Sequence, residues 1–316
     1  MTSFYEITPL DTLFFRGSTP MEAGQYNTLS LFPPPASVLQ GALWTAWCRN
    51  KGKSFSEGLT EGRIPIELKA FLIKKVSGNK SACYAPAPAT WYYDADDKAS
   101  KGTDCDGRSL CIAQDKEEVF AALNMQSSAG NVVFAVPEID AKPLGGAWIN
   151  VDFLKKPREK FANDSVLLAA DIYGSEPRTG IGLTADKKAE NGKLYTSTHI
   201  RMKEAISFVV GCECNFEMPE GKILIGGEQR IAELKKCSDI PQGLLQKDDW
   251  SHQYLSLVPI KATKENLDAL VASAKLMVTS GWDMAKGFHK PSVSWIPAGA
   301  VFSQNINDSC IPLGTK

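Results

Sequence analysis

The stretch LFPPPASVLQGAL, residues 31–43, joins a run of three prolines to an apolar segment. Each proline fixes φ and removes a backbone donor, so the run blocks regular structure. Beyond it, apolar residues recur at helical spacing from Leu39 to Trp47, and Asn50 can end the pattern. The stretch therefore predicts a helix that begins directly after the prolines.

The segments on either side of this helix predict strands. Residues 4–15 read as an opening strand and its exit, and residues 67–75 and 82–87 read as two further strands. A short helix is expected at residues 115–124 and a strand at residues 131–136. The order β-α-β-β-α-β is the ferredoxin-like pattern.

The second half of the chain is predicted from weaker patterns. Residues 137–146 (PEIDAKPLGG) form the best candidate linker. Residues 194–201 and 205–214 predict a hairpin, whereas residues 266–275 predict a helix that leads into a short strand at residues 276–279. A second fold of the same class is the interpretation of this half.

The predicted fold class is therefore α+β, with two ferredoxin-like (RRM-like) domains that carry loop and hairpin insertions. The N-terminal domain is assigned to residues 1–143 and the C-terminal domain to residues 144–316. Residues 94–107 are rich in Asp, Lys, Ser and Gly, so they predict an exposed insertion.

Composition limits the classes of function. The chain has 316 residues, of which 43% are hydrophobic and 22% are charged, so we expect a buried core. Its net charge is −1, whereas proteins that attract nucleic acid through a broad field are usually basic. Any RNA site must therefore be a local patch, or partner subunits must complete it.

The location predicted from the sequence is cytoplasmic. The first ten residues carry no basic and apolar secretory signal, and no stretch approaches the roughly 18 consecutive apolar residues of a membrane span. The eight cysteines lie at irregular spacings, which indicates reduced thiols in a chain of this length. No membrane partner is expected.

Motifs for metal, cofactor or hydrolytic chemistry are missing from the sequence. The three histidines, His199, His252 and His289, lie in no metal-binding or zincin motif, and neither a GxSxG elbow nor a P-loop occurs. Five residues separate Cys105 from Cys111, which is wider than the usual spacing of zinc ligands. We expect no metal and no cofactor.

Basic residues beside glycines are the candidate RNA contacts. Arg16 follows an apolar strand and precedes Gly17, where its guanidinium could bind phosphate bidentately. The alternative is an ion pair with Asp11 or Glu22. Arg230 follows the pair Gly226-Gly227, which predicts a turn that displays a basic residue.

Two further motifs could approach a phosphate through the backbone. Ser37 can cap the predicted helix or lie in its first turn, where free amides favour an anion. Arg178 is followed by alternate glycines, Gly180 and Gly182, which predict a loop able to approach a phosphate. The simpler alternatives are a plain helix start and an ordinary glycine turn.

The segment at residues 281–291 mixes cations, aromatic residues and glycines. Lys286, His289 and Lys290 could contact phosphates, and Phe288 could stack on a base. A solvated basic loop is the alternative. The composition therefore indicates a candidate RNA-binding loop near the C-terminus.

Five of these motifs, taken in order, resemble the RAMP superfamily, and within it the third subunit of the Cmr (type III-B CRISPR) effector complex. One departure is Trp44, which stands where that family often has arginine. The resemblance rests on residues 9–16, 33–43, 176–182 with 194–195, 226–228, and 281–291.

The resemblance implies a non-catalytic subunit that binds the 5′ handle of the guide RNA in antiviral defence. The implied partners are the guide, the large polymerase-cyclase subunit and the backbone RAMP subunits. The alternative is a RAMP endoribonuclease that processes the guide precursor by general acid–base chemistry, with His199 or His289 as its histidine.

Overall fold

The computed structural model describes residues 2–17, 28–60, 62–97, 105–115, 134–135, 140–241, 243–245, 253–283 and 288–314. The protein is a mixed α/β structure in which antiparallel sheets predominate over helices. The helices of the described residues are α1 (Ala36–Asn50), α2 (Val151–Lys155), α3 (Ala169–Ile172) and α4 (Lys264–Asp268).

Most of the described elements are short strands. In chain order they are β1 (Ser3–Pro9), β2 (Thr28–Leu29), β3 (Glu67–Ser77), β4 (Lys80–Pro86), β5 (Trp91–Asp94), β6 (Leu110–Ile112), β7 (Gln114–Asp115), β8 (Phe134–Ala135), β9 (Ala141–Pro143), β10 (Trp148–Asn150), β11 (Val166–Leu167), β12 (Tyr173–Leu183), β13 (Ala189–Met202), β14 (Ile206–Glu213), β15 (Gly221–Leu224), β16 (Ile231–Lys236), β17 (Tyr254–Ser256), β18 (Ile260–Lys261), β19 (Leu270–Ala272), β20 (Met277–Asp283), β21 (Phe288–Ile296), β22 (Val301–Phe302) and β23 (Cys310–Pro312).

The chain divides into two compact units, and each is made of two segments of sequence. Unit 1 comprises Met1–Leu68 and Ala170–Ser238, and unit 2 comprises Lys69–Ala169 and Asp239–Lys316. The domain boundary predicted at residues 143 and 144 stays a prediction. The assignment of two ferredoxin-like domains also stays a prediction, whereas the mixed α/β class is confirmed.

Unit 1 is built on the antiparallel strands β14, β1, β16 and β15, in that order. Strand β1 lies between β14 and β16, with Tyr5 opposite Val210 and Ile7 opposite Leu234. Burial of Ile7, Val210 and Leu234 is complete, so this sheet supplies one side of the core. Helix α1 contacts β15.

The predicted helix after the prolines is confirmed as α1. It begins at Ala36, directly after Pro35, and it buries Leu39, Leu43 and Trp44 on one face. The indole of Trp44 donates to the carbonyl of Phe55 at 2.8 Å, so this residue belongs to the core. A Cβ at Gly41 would meet nothing within 4 Å, so no neighbouring described atom requires glycine at this position.

The predicted hairpin of residues 194–201 and 205–214 is wrong in its pairing. Both segments are strands, but β13 pairs with β12 and β14 pairs with β1. The glycine-rich segment expected as a loop lies in β12, where half-buried and exposed residues alternate as in a strand. The turn comes later, where the amide of Thr184 donates to the carbonyl of Lys188.

The described residues of unit 2 form five sets of paired strands. One has the order β11-β10-β4-β3, and its strands β3 and β4 confirm the strands predicted at residues 67–75 and 82–87. The others are β19-β22-β17-β23, β18-β21-β20, β6-β5-β9 and β7-β8. The core includes Tyr84, Trp91 and Phe161.

Two predictions in unit 2 need correction. Helix α4 ends at Asp268, because Leu270 pairs with Phe302 in a sheet and this pairing overrides the helical pattern predicted as far as residue 275. Cys105 and Asp106 are buried rather than exposed. Residues 98–104 of the same predicted insertion lie outside the described part, as do residues 116–124 of the predicted second helix and residues 137–139 of the predicted linker.

No helix in the described part of the chain is long and apolar enough to cross a membrane.

Candidate nucleic-acid interface

The segment that carries Arg16 is held on both sides in unit 1. The amide of Leu13 donates to the carbonyl of Ile200 at 2.7 Å, and the reverse bond is 2.8 Å long. On the other side, the amide of Gly227 donates to the carbonyl of Phe14 at 2.8 Å. Three sequence motifs, at residues 9–16, 176–182 and 226–230, therefore meet around β13.

The glycine pair before Arg230 has a conformational role. Gly226 has φ +74°, and a Cβ there would lie 2.6 Å from the carbonyl oxygen of Phe14. Other residues resist this conformation because their Cβ clashes, and here the neighbouring backbone adds a second clash. The pair therefore fixes the turn between β15 and β16 against the segment at Phe14.

Arg230 is enclosed by carboxylates rather than displayed. Its Nη1 lies 2.6 Å from Asp11 Oδ2, and its Nη2 is paired with Glu228 Oε2. The side chain is 14% exposed. Arg230 thus joins the end of β1 to the turn that precedes β16.

Arg178 and Arg201 extend this set of ion pairs along the β12–β13 hairpin. Arg178 Nη2 lies 2.8 Å from Glu176 Oε1 and 3.9 Å from Asp11 Oδ1. Arg201 Nε lies 2.6 Å from the other oxygen of Glu176. We call Arg201, Glu176, Arg178, Asp11, Arg230 and Glu228 the arginine–carboxylate network; its three cations balance its three anions.

Two carboxylates of the network, Asp11 and Glu176, are held in their ionised form. The amide of Thr12 and then the guanidinium of Arg230 lower the pKa of Asp11. Hydrogen bonds from Arg201 and then from Arg178 lower the pKa of Glu176. Asp11 and Glu176 therefore stay ionised at neutral pH.

His199 lies beneath this network and is completely buried. Its ring stacks on Phe14 with centroids 5.0 Å apart, and its Nδ1 lies 3.4 Å from Thr12 Oγ1. Nε2 has no hydrogen-bond partner among the described residues and lies 3.6 Å from Glu228 Oε1. Burial lowers the pKa of His199, although Glu228 opposes this shift, so the ring is neutral near pH 7.

Arg16 differs from the network arginines because it is exposed and no described carboxylate forms an ion pair with it. Asp11, one of its two expected partners, is bound by Arg178 and Arg230. Glu22, the other, lies outside the described residues. The adjacent Phe15 is fixed, because its amide donates to Ser30 Oγ at 2.8 Å and its carbonyl accepts from Leu31 at 2.8 Å.

Ser37, Gly180 and Gly182 also lie in unit 1. Ser37 is exposed in the first turn of α1, and it does not cap the helix. A Cβ at Gly180 would overlap the ring of Tyr195, and one at Gly182 would lie 2.7 Å from the Cβ of Lys193. Both glycines therefore permit close approach of β13, not of a loop to a ligand.

The C-terminal candidates lie in unit 2, on the hairpin of β20 and β21. Gly281 pairs with Lys290, and Trp282 pairs with His289. Phe288 begins β21 with 69% of its surface exposed. Lys286 lies outside the described residues. The segment expected as a loop is therefore largely a hairpin.

The sequence analysis named Asp11 only as a possible partner of Arg16, and it missed the ion pairs made by Glu176, Glu228 and Arg201. A signal for them exists in β12 and β13, where Glu176 and Arg178 alternate on one strand and His199 and Arg201 alternate on the other. Glu176 lies opposite His199 in the register. Among the described residues, no cluster of three His, Cys, Asp or Glu side chains could hold a metal ion.

The family model of the CRISPR-associated protein (Cas_Cmr3) matches residues 5–309. The chain belongs to the Cmr3 family. This match confirms the resemblance to the third subunit of the Cmr complex, which rested on five motifs in order. A Cmr3-family chain is a RAMP-type subunit of type III CRISPR effector complexes.

Solved structures with the same fold agree with the family assignment. A chain in a type III-B Cmr-beta complex bound to cognate target RNA and AMPPnP is 18% identical, with a TM-score of 0.55 over 95% of this chain and 85% of that one. A chain in the complex bound to cognate target RNA is 17% identical, with a TM-score of 0.54 over 95% and 86%. No curated protein matches the sequence.

Proposed function

We propose that this Cmr3-family protein is a non-catalytic subunit that binds the 5′ handle of the guide RNA. In the same proposal, the protein has two ferredoxin-like domains and links the large polymerase-cyclase subunit to the backbone RAMP subunits in antiviral defence. The observation that carries the proposal is the state of Arg16. This arginine is exposed and follows a fixed backbone segment, whereas the arginines of the neighbouring network are paired with carboxylates.

A phosphate contact needs a cation whose charge is not already neutralised. Arg178 and Arg230 are paired with carboxylates, and the network as a whole carries no net charge. Arg16 has no such partner among the described residues, so it retains its full attraction for phosphate. We assign Arg16 the direct contact, and the network the task of holding the segment that carries it.

The C-terminal hairpin, which lies in unit 2, carries a separate set of proposed RNA contacts. Phe288 is 69% exposed, which suits a base stack worth roughly 1–3 kcal/mol. Lys286, His289 and Lys290 are the other candidate contacts in the sequence of this segment. The similar chains lie in complexes bound to cognate target RNA, which supports a role beside RNA.

The burial of His199 supports a non-catalytic role. A general acid or base must come within hydrogen-bond reach of the proton that it transfers. His199 has no exposed surface and stacks on Phe14, so substrate cannot reach it in this arrangement. His289 is therefore the histidine that the alternative, a processing endoribonuclease, would have to use.

The test is loading of guide RNA into the complex. Arg16→Ala combined with Lys286→Ala and Lys290→Ala should impair loading of guides that carry the handle, with little dependence on the sequence of the spacer. The matched control removes three exposed lysines elsewhere, Lys203→Ala, Lys222→Ala and Lys264→Ala, and should load normally.

Equal loading by both triple variants would contradict the proposed site. Incubation of the protein with labelled repeat RNA tests the alternative function. A discrete cleavage product of labelled repeat RNA that His289→Ala abolishes would favour the processing enzyme.

A further inference from the structure

Unit 2 contains a surface cleft of about 690 Å³ that the proposed handle site does not use. It lies between the turn that joins β3 to β4, at residues 77–80, and the segment after α2, at residues 156–165. We call it the β3–β4 cleft. Its volume is in the range of pockets that hold a ligand of nucleotide size.

The β3–β4 cleft has an excess of positive charge. Lys75, Lys80, Lys156 and Arg158 line it together with two carboxylates, which leaves a net charge of +2. Asp164 neutralises Lys75 at 2.8 Å. Lys80, Lys156 and Arg158 are exposed, and within the described residues no carboxylate forms an ion pair with them.

Three unpaired cations at the edge of one cleft repel one another, and an anion relieves this repulsion. The cleft also offers neutral donors of the kind that bind phosphate oxygens, including Ser77 and Asn163. The chemistry of the cleft therefore selects phosphate oxygens.

The aromatic residues of the cleft are not available for stacking. Tyr84 is 1% exposed and Phe153 is 7% exposed. The hydroxyl of Tyr84 donates to the carbonyl of Asp164 at 2.9 Å, so it is engaged within the protein. A nucleic acid in this cleft would be held by its backbone, without contacts that read its bases.

We propose that the β3–β4 cleft is a second phosphate-binding site, which holds the sugar–phosphate backbone of RNA independently of sequence. This inference rests on the proposed function, because RNA is the ligand in both cases. The cleft differs from the Arg16 contact because it lies on unit 2. It differs from the C-terminal hairpin in its chemistry, because that hairpin carries the exposed Phe288 whereas Tyr84 and Phe153 in the cleft are buried.

The test measures the affinity of the full-length chain for a single-stranded RNA at several salt concentrations. Lys80→Glu, Lys156→Glu and Arg158→Glu together should remove up to three phosphate contacts. Each contact contributes about 0.7 to the slope of log K against log salt for single strands, so the slope should fall by about 2. Between 50 and 200 mM salt, this corresponds to about a 20-fold smaller loss of affinity.

A matched control reverses three other exposed lysines of unit 2, Lys261→Glu, Lys264→Glu and Lys275→Glu. It has the same change of net charge and should keep the slope of the wild-type protein. Asp152→Asn removes a carboxylate from the cleft and should strengthen binding. An increase in affinity excludes misfolding as the cause of the effects.

The outcomes separate this inference from the proposed function. If the charge-reversed cleft variant keeps the slope, or the control loses it equally, the cleft does not bind RNA. If the cleft variant keeps the slope but fails to join its partner subunits, an acidic protein segment occupies the cleft and the inference is wrong. If the wild-type chain shows no salt-dependent binding of RNA, both the inference and the proposed function are contradicted.

Discussion

Arg16 and Arg230 differ in whether described carboxylates of the protein already neutralise their charge. Each lies beside glycine-containing sequence, and from the sequence both are candidate phosphate contacts. The structure encloses Arg230 between Asp11 and Glu228, whereas Arg16 is exposed. Asp11 is 219 residues away from Arg230, so local sequence could not reveal this partner.

His199 makes the stability of the network depend on pH. Its pKa is lowered in the folded protein by burial, so the unfolded chain binds the proton more readily below the ordinary value of 6.5. The stability that the buried neutral ring of His199 contributes is fully present above pH 6.5, and it is lost as pH falls through the lowered pKa of His199. We expect the free energy of unfolding to decrease by at most about 1.4 kcal/mol per pH unit from this group.

The measurement is denaturant unfolding between pH 7 and pH 5 for the wild-type protein and for His199→Asn. The variant should lose the part of the pH dependence that His199 causes, and His289→Asn is the matched control. Asp11 and Glu176 have lowered pKa values and ordinary values of 3.8 and 4.5, so they act at lower pH. An unchanged pH profile in His199→Asn would show that the buried ring does not titrate in this range.

At the scale of single elements, local patterns predicted some segments and failed at others. The prolines and the apolar spacing are enough to predict α1, because both signals lie within the element. The pairing of β13 was not predictable, because its partner β12 contains glycines and a proline that resemble a loop. Gly180 and Gly182 leave room for the side chains of Tyr195 and Lys193 on β13.

The two glycines of β12 should differ in how much an added methyl group costs. The Cβ of Gly182→Ala would lie 2.7 Å from the Cβ of Lys193, which is fixed to its backbone, so the strands must separate. The Cβ of Gly180→Ala would meet only the outer end of Tyr195, which is 39% exposed and can rotate into solvent. We expect Gly182→Ala to lower the local stability of the hairpin by about 1–3 kcal/mol and Gly180→Ala by less.

Hydrogen exchange of the amides in β12 and β13 measures this local stability. Gly174→Ala in the same strand is the control, because its Cβ would meet nothing within 4 Å. Slower or unchanged exchange in Gly182→Ala, or a larger effect in Gly180→Ala, would contradict the register of the hairpin.

At the scale of the whole molecule, the family could be predicted where the detailed structure could not. Five weak motifs in a fixed order span nearly the whole chain, and the family match covers residues 5–309. Four of the motifs lie in unit 1, where three of them meet around β13, and the fifth lies in unit 2 on a hairpin. The sequence could not show this grouping, because each unit is assembled from two separated segments.

The near-zero net charge is a second property of the whole molecule that bears on RNA binding. A protein with a charge of −1 cannot attract RNA through a broad field, so binding must depend on a few local cations. We therefore propose that Arg16 and the segment at residues 281–291 make the contact, and that their removal affects binding at one end of the guide only.

Nuclease footprinting of the guide RNA within the assembled effector complex tests the central claim most directly. The wild-type protein should protect the 5′ handle. The variant with Arg16→Ala, Lys286→Ala and Lys290→Ala should expose the handle and leave the spacer protected. Unchanged protection of the handle, with protection lost only along the spacer, would contradict the assignment of this protein to the 5′ end of the guide.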